Sequence, residues 1–117
     1  MTDKPKITVD TILATLEEKV AAKEVLDAGR WLDAAQALNV LLGEEQDRLF
    51  ELQRIVAQLK VDYIEAGDSV AKAKAKTEAN VNFTEAKRQE AKIERVLEMI
   101  RIAKLQSRMR MEEFKSY

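Results

Sequence analysis

Cysteine and histidine do not occur anywhere in the 117 residues of the chain. Their absence excludes disulfides, thiolate and imidazole metal sites, cysteine nucleophiles and histidine acid–base catalysis. The adjacent carboxylate pairs Glu17-Glu18 and Glu44-Glu45 point about 100° apart on a helix and form no natural dyad. No glycine-rich phosphate loop is present. We therefore expect a protein that is not an enzyme and that uses no metal or other cofactor.

Glycine and proline are scarce, with three residues and one residue, so turn formers are few. This argues against a fold of many strands, and the dominant residues are strong helix formers. We predict an all-α fold: a bundle or hairpin of about four helices, with long central and C-terminal helices and coiled-coil-like packing. The expected organisation is a flexible tail over residues 1–7 and a single helical domain over residues 8–117.

Long apolar runs are also missing, because no stretch reaches the length of a membrane span. The N-terminal residues lack the apolar core of a signal peptide. We expect a soluble, cytoplasmic protein that does not bind a membrane.

Capping residues and glycines predict where the helices begin and end. The predicted segments are Thr8 or Asp10 to about Ala28, stopped by Gly29; 30–42, ended or kinked by Gly43; Glu44–Ala66, closed by Gly67; Val70–Ala79, capped by Asp68-Ser69; and Thr84 to about Phe114. Whether residues 68–117 form two helices or one kinked helix stays open. The single tryptophan, Trp31, is expected to be a core anchor, with a partner contact as the alternative.

The segment Glu44–Ala66 carries apolar residues on two nearly opposite sides. The first stripe comprises Leu49, Leu52, Ile55, Val56, Leu59, Tyr63 and Ala66. The second stripe comprises Phe50, Ala57, Val61 and Ile64. A surface helix has one apolar stripe, so two stripes predict neighbours on both sides. The chain can cover one of them; we predict that the second stripe is a protein interface and that the chain forms a dimer.

Charge is distributed unevenly along the chain. Residues 1–67 contain 8 basic and 13 acidic residues (8 − 13 = −5), and residues 68–117 contain 12 and 8 (12 − 8 = +4). Either the two halves pack against each other, within or between chains, or the second half contacts nucleic acid. The candidate nucleic-acid contacts are Lys72, Lys74, Lys76, Arg101, Lys104, Arg108 and Arg110. Against that alternative, aromatic residues for base stacking are scarce in this half.

The C-terminal half resembles a group of small helical bacteriophage proteins encoded near single-strand annealing and recombination genes. The resemblance is carried by residues 71–87, 91–94, 97–101 and 108–114, with Phe83 in a break between two helices and an acidic–aromatic ending. It implies an accessory role in DNA recombination or replication, in the cytoplasm of a bacterial host, and transfers no functional residue. The alternatives are direct DNA binding by the basic half and inhibition of a host nuclease or defence complex.

Overall fold

The computed structural model describes residues 8–22 and 27–115, with side chains up to residue 112. These residues form four helices: α1 (Val9–Ala21), α2 (Ala28–Glu65), α3 (Val70–Glu78) and α4 (Val81–Lys115). The all-α prediction with long central and C-terminal helices is confirmed. The predicted tail at residues 1–7 lies outside the described residues. Within the described residues, no helix combines the length with the apolar character that a membrane span requires.

The start of α1 matches the prediction and its end does not. Thr8 caps the helix: its hydroxyl accepts from the Thr11 backbone N–H, and the Thr11 hydroxyl accepts from the Thr8 N–H at 3.0 Å. This reciprocal pair satisfies two donors that a helix start otherwise leaves open. The expected extension to Ala28 is wrong, because α1 ends at Ala21 and Ala28 already belongs to α2.

Gly29 was expected to end a helix and Gly43 to end or kink one, but both lie inside α2. Asp27 explains the first case: its side chain accepts from the Arg30 N–H at 2.8 Å and its carbonyl from the Trp31 N–H. It therefore acts as an N-cap and places Gly29 in the first turn. A single internal glycine costs only about 1 kcal/mol, which packing along the helix offsets at Gly43.

Gly67 ends α2 as predicted. Its φ of 106° lies in the left-handed region, and the Asp68 N–H bonds the Tyr63 carbonyl while the Gly67 N–H bonds the Ile64 carbonyl. These two bonds form a Schellman motif, which favours glycine at this position. Ser69 then caps α3, with its hydroxyl accepting from the Lys72 N–H at 3.2 Å.

Two separate helices follow Gly67. The cap of α4 is Asn80, whose side-chain oxygen accepts from the Asn82 N–H at 2.9 Å. The predicted start at Thr84 is wrong, since this cap begins the helix at Val81, three residues earlier.

In both long helices, the buried or partly buried residues are separated alternately by three and four positions. In α4 the buried positions include Ala86, Gln89, Ile93, Val96, Ile100, Ala103 and Ser107. In α2 buried residues give way to partly buried ones: Trp31, Ala35, Leu38, Leu42, Glu45, Leu49, Leu52, Val56, Leu59 and Tyr63. This alternation is the heptad spacing of coiled coils, which confirms the predicted mode of packing.

The contacts divide the chain into two compact units. Unit 1 contains α1, α2 up to Gly43 and α4 from Glu94; unit 2 contains residues Glu44–Ile93. That residues 8–117 form a single domain stays a prediction.

Unit 1 contains the main apolar core, to which three helices contribute. The buried members are Val9, Leu13, Leu16, Trp31, Ala35, Leu38, Val96, Met99, Ile100 and Ala103. Trp31, only 2% exposed, is confirmed as a core anchor. Arg95 of α4 pairs with Glu17 of α1, and the Ser107 hydroxyl donates to the Ala28 carbonyl at 3.0 Å. Burial of each large apolar side chain of this core stabilises the fold by about 1.5–3 kcal/mol.

The buried side chains of unit 2 are mostly smaller or more polar than those of unit 1. Among the residues described, those buried in unit 2 are Ala73, Thr77, Ala86, Gln89 and Ile93. At the heptad position of Glu45, the Gln89 amide donates to the Glu45 carboxylate at 2.6 Å and to its carbonyl at 2.9 Å. The Lys92 ammonium lies 3.2 Å from the same carboxylate. A polar layer therefore joins α2 to α4 within this unit.

Candidate interaction surfaces

The second stripe lies on the surface of α2 in unit 2. Its residues are spaced by seven, four and three positions and fall within a sector of about 60°. Phe50 is 69% exposed, Val61 45% and Ile64 40%, and Ala57 is exposed as well. By contrast, the first stripe from Leu49 to Tyr63 is partly buried, although Ala66 is exposed.

The expectation that α2 has neighbours on both sides is therefore not met within one chain. In the part of the chain that the structure describes, the first stripe is partly covered and the second stripe faces solvent. Its repeat of three and four residues is nevertheless the pattern that packs against another helix. The sequence thus contains an interface pattern that the described fold does not itself use.

Acidic residues surround the second stripe. Five exposed carboxylates lie within about 130° of its centre on the helical wheel, and two cations do; Glu45 lies at the same angle but is partly buried and paired with Lys92. The five are Glu44, Asp47, Glu51, Asp62 and Glu65, with the cations Arg54 and Lys60, so the face carries 2 − 5 = −3 charges.

Most of these carboxylates have no cation beside them. Arg54 contacts Glu51 at 2.6 Å, and this bond lowers the pKa of Glu51 and raises that of Arg54. No described cation pairs with Glu44, Asp47 or Glu65. The face is therefore apolar along its centre and acidic along its edge.

The three lysines of α3 form a weaker cationic surface than the sequence suggests. Lys76 and Lys72 both pair with Asp68, at 2.8 and 3.7 Å. The hydrogen bond from Lys76, followed by the charges of both lysines, lowers the pKa of Asp68. Lys76 also lies 5.4 Å from the ring centre of Tyr63. Only Lys74 of the three is exposed without a described carboxylate.

The candidate cations of α4 also differ in their surroundings. Arg101 donates two hydrogen bonds to the Glu98 carboxylate. These bonds, more than the charge of Arg101, lower the pKa of Glu98. Arg110 is half-buried. Lys104 and Arg108 are exposed, lie one helical turn apart, and have no carboxylate partner among the described residues. Of the seven predicted contacts, these two form the one adjacent pair of open cations.

Lys104 and Arg108 line an open groove of about 300 Å³ in unit 1. We call this the basic groove; its lining is Leu32, Lys104, Ser107, Arg108, Met111 and Glu112. Leu32 and Met111 are about half exposed, so the groove combines apolar and cationic walls. The sequence did not predict this groove, because Leu32 belongs to a different helix from the other lining residues.

The described residues bring no group of three metal-ligating side chains together. No protein-family model matches the chain, and neither a curated protein nor a solved structure is significantly similar to it. The function must therefore be argued from the two surfaces, the second stripe and the basic groove.

Proposed function

We propose that this chain is a non-enzymatic helical interaction module that acts as an accessory factor in phage DNA recombination or replication. The observation that carries the first part is the second stripe: four apolar residues at heptad spacing, exposed on a long helix. The second part, with its setting in the cytoplasm of a bacterial host, rests on the resemblance of the C-terminal half to small phage proteins.

The chemistry of the second stripe specifies the kind of contact. Exposed apolar side chains in a narrow stripe bind a complementary helix or groove, with anchors repeating every three or four residues. Phe50 is the largest exposed side chain of the stripe, and aromatic residues commonly dominate the binding energy of such contacts. The acidic edge favours a partner surface that carries Lys or Arg.

Direct DNA binding is the second candidate, and the pair Lys104 and Arg108 favours it. Two phosphate contacts give a salt dependence of slope about −2 on a logarithmic plot, far below that of strong DNA binders. Lys72, Lys76 and Arg101 would each have to leave a carboxylate before contacting phosphate. Protein contact is therefore the function that the surfaces support better.

The test uses purified components. The chain is titrated, by fluorescence anisotropy, against a phage single-strand annealing protein, a single-strand DNA-binding protein, and labelled single-stranded and duplex DNA. Binding to a protein that is lost in Phe50→Glu supports the proposal. Ala91→Glu is the matched control, since it places the same charge at an exposed position of α4 in unit 2. DNA binding that Phe50→Glu leaves unchanged, without protein binding, would refute it in favour of the second candidate.

A further inference from the structure

Two surfaces of this chain carry charges that their own surroundings leave uncompensated, and the charges have opposite sign. On the second-stripe face, Glu44, Asp47 and Glu65 have no described cationic partner. In the basic groove, neither Lys104 nor Arg108 is paired with a described carboxylate, and the lining, which includes Glu112, carries 2 − 1 = +1 charge. Like charges four residues apart on a helix repel each other, so an approaching anionic surface would relieve the repulsion between these two cations.

The basic groove occupies a definite side of the helix pair in unit 1. Measured around α4 from the buried Ala103, Arg95 lies at about −80°, and Lys104 and Arg108 lie at about +100° and +140°. Arg95 pairs with Glu17 of α1, so α1 covers the first side. The groove lies on the other side, where a further helix would complete a four-helix arrangement. Leu32 and Met111 supply the apolar contacts that such a helix needs.

We propose that the second stripe of one copy docks into the basic groove of a second copy. The contact is heterologous, because the two surfaces that meet are different. It places Phe50 and Val61 against Leu32 and Met111, and it places the acidic edge of α2 beside Lys104 and Arg108. This inference rests on the proposed function only in taking the second stripe as a protein interface, and it names a second copy of the chain as one occupant of that interface.

Pairing of two second stripes with each other is disfavoured by charge. Asp47 and Arg54 occupy core positions of the same heptad frame as Phe50 and Val61. In a parallel pair each of them would face its own copy across the interface. In an antiparallel pair the acidic flanks Glu51 and Glu65 would meet the same flank of the partner. Like charges in these positions destabilise helix pairs, whereas the basic groove offers opposite charge.

The experiment uses two full-length variants, each with one surface disabled. Phe50→Glu removes the docking face and retains the groove, whereas Lys104→Glu combined with Arg108→Glu reverses the groove and retains the docking face. All three positions are exposed, so circular dichroism should show unchanged helicity. Sedimentation equilibrium measures the mass of each protein alone and of an equimolar mixture, from about 10 µM to about 1 mM, the range in which small interfaces associate.

The wild type is expected to rise from the monomer mass of 13.3 kDa with concentration, and raised salt should weaken the association several-fold. Each variant alone should remain a monomer. The mixture should form a 1:1 dimer of 2 × 13.3 = 26.6 kDa and no larger species, since one contact remains between an intact face and an intact groove.

Two results would overturn the inference. A wild type that stays monomeric over the whole range shows that the chain is not its own partner. A wild type that associates while the mixture does not shows that like surfaces meet. Neither result decides whether the second stripe binds a recombination protein, which the titration with purified proteins tests separately. Absence of binding in that titration, with self-association of the wild type and of the mixture, would contradict the proposed function and leave this inference standing.

Discussion

The polar layer at Glu45 makes the sharpest prediction about stability. In Glu45→Ala the Gln89 amide loses the carboxylate at 2.6 Å and keeps only the backbone carbonyl at 2.9 Å, and Lys92 loses the same carboxylate at 3.2 Å. A buried polar group left without its partner costs about 1–3 kcal/mol. The side chains of Glu45 and Lys92 are 16% and 20% exposed, so water reaches them and the expected loss is about 1–2 kcal/mol.

Glu51→Ala is the matched control, because it makes the same change in the same helix. Its carboxylate pairs with Arg54 in an exposed position, where solvent screens the ion pair and leaves it little effect on stability. Urea unfolding followed by circular dichroism should lower the midpoint by about 0.5–1 M for Glu45→Ala, given the usual slope for a small protein, and hardly at all for Glu51→Ala.

A double-mutant cycle with Gln89→Ala separates the bond from other effects. The coupling energy between Glu45 and Gln89 should be about 1 kcal/mol, because each single change removes the same hydrogen bond. If Glu45→Ala costs no more than Glu51→Ala, or if the coupling is zero, the polar layer does not hold α2 against α4 and the reasoning is refuted.

Three further predictions follow from local geometry. Gly43→Ala should raise the free energy of unfolding by about 0.5–1 kcal/mol, because the added methyl meets no atom within 4 Å. Gly67→Ala should lower it by a similar amount, because φ is 106° at this position, and thermal unfolding distinguishes the two. Leu38→Ala should cost about 2–5 kcal/mol and Val40→Ala, on the exposed side of the same helix, less than 0.5; equal costs would mean that the core of unit 1 is misplaced. The lowered pKa of Asp68 stabilises the fold above the ordinary carboxyl pKa, and this contribution disappears as the pH falls through the folded value; Asp68→Asn should flatten that part of an acid titration, and an unchanged profile would contradict the pairing.

Local chemistry made the helix limits at Thr8, Gly67 and Ser69 predictable. A hydroxyl that accepts from the N–H three residues later begins a helix, and a glycine in the left-handed region ends one. Both effects depend only on residues close in the sequence. Gly29 and Gly43 misled the prediction, because a glycine ends a helix only where the chain also leaves it. At Gly29 the side chain of Asp27 instead begins a new helix.

The surfaces were harder to predict, because charge pairing is not visible in composition. Lys72 and Lys76 reach Asp68 across four and eight residues, and this shared carboxylate weakens the expected cationic strip. Leu97 and Met111 are apolar residues of α4, yet about half of each side chain is exposed. The second stripe is the opposite case: its apolar pattern was visible in the sequence, and the described fold leaves it open.

The small side chains buried in unit 2 affect how this part of the chain responds to a binding partner. Alanine, threonine and glutamine provide little apolar burial, so the local free energy of opening is low and backbone amides there should exchange with deuterium sooner than those beside Trp31 and Leu38. Any molecule that seats on Phe50 and Val61 would slow that exchange by binding the closed form preferentially. Deuterium uptake across residues 44–66 would therefore register occupancy of the face even where the average structure stays the same.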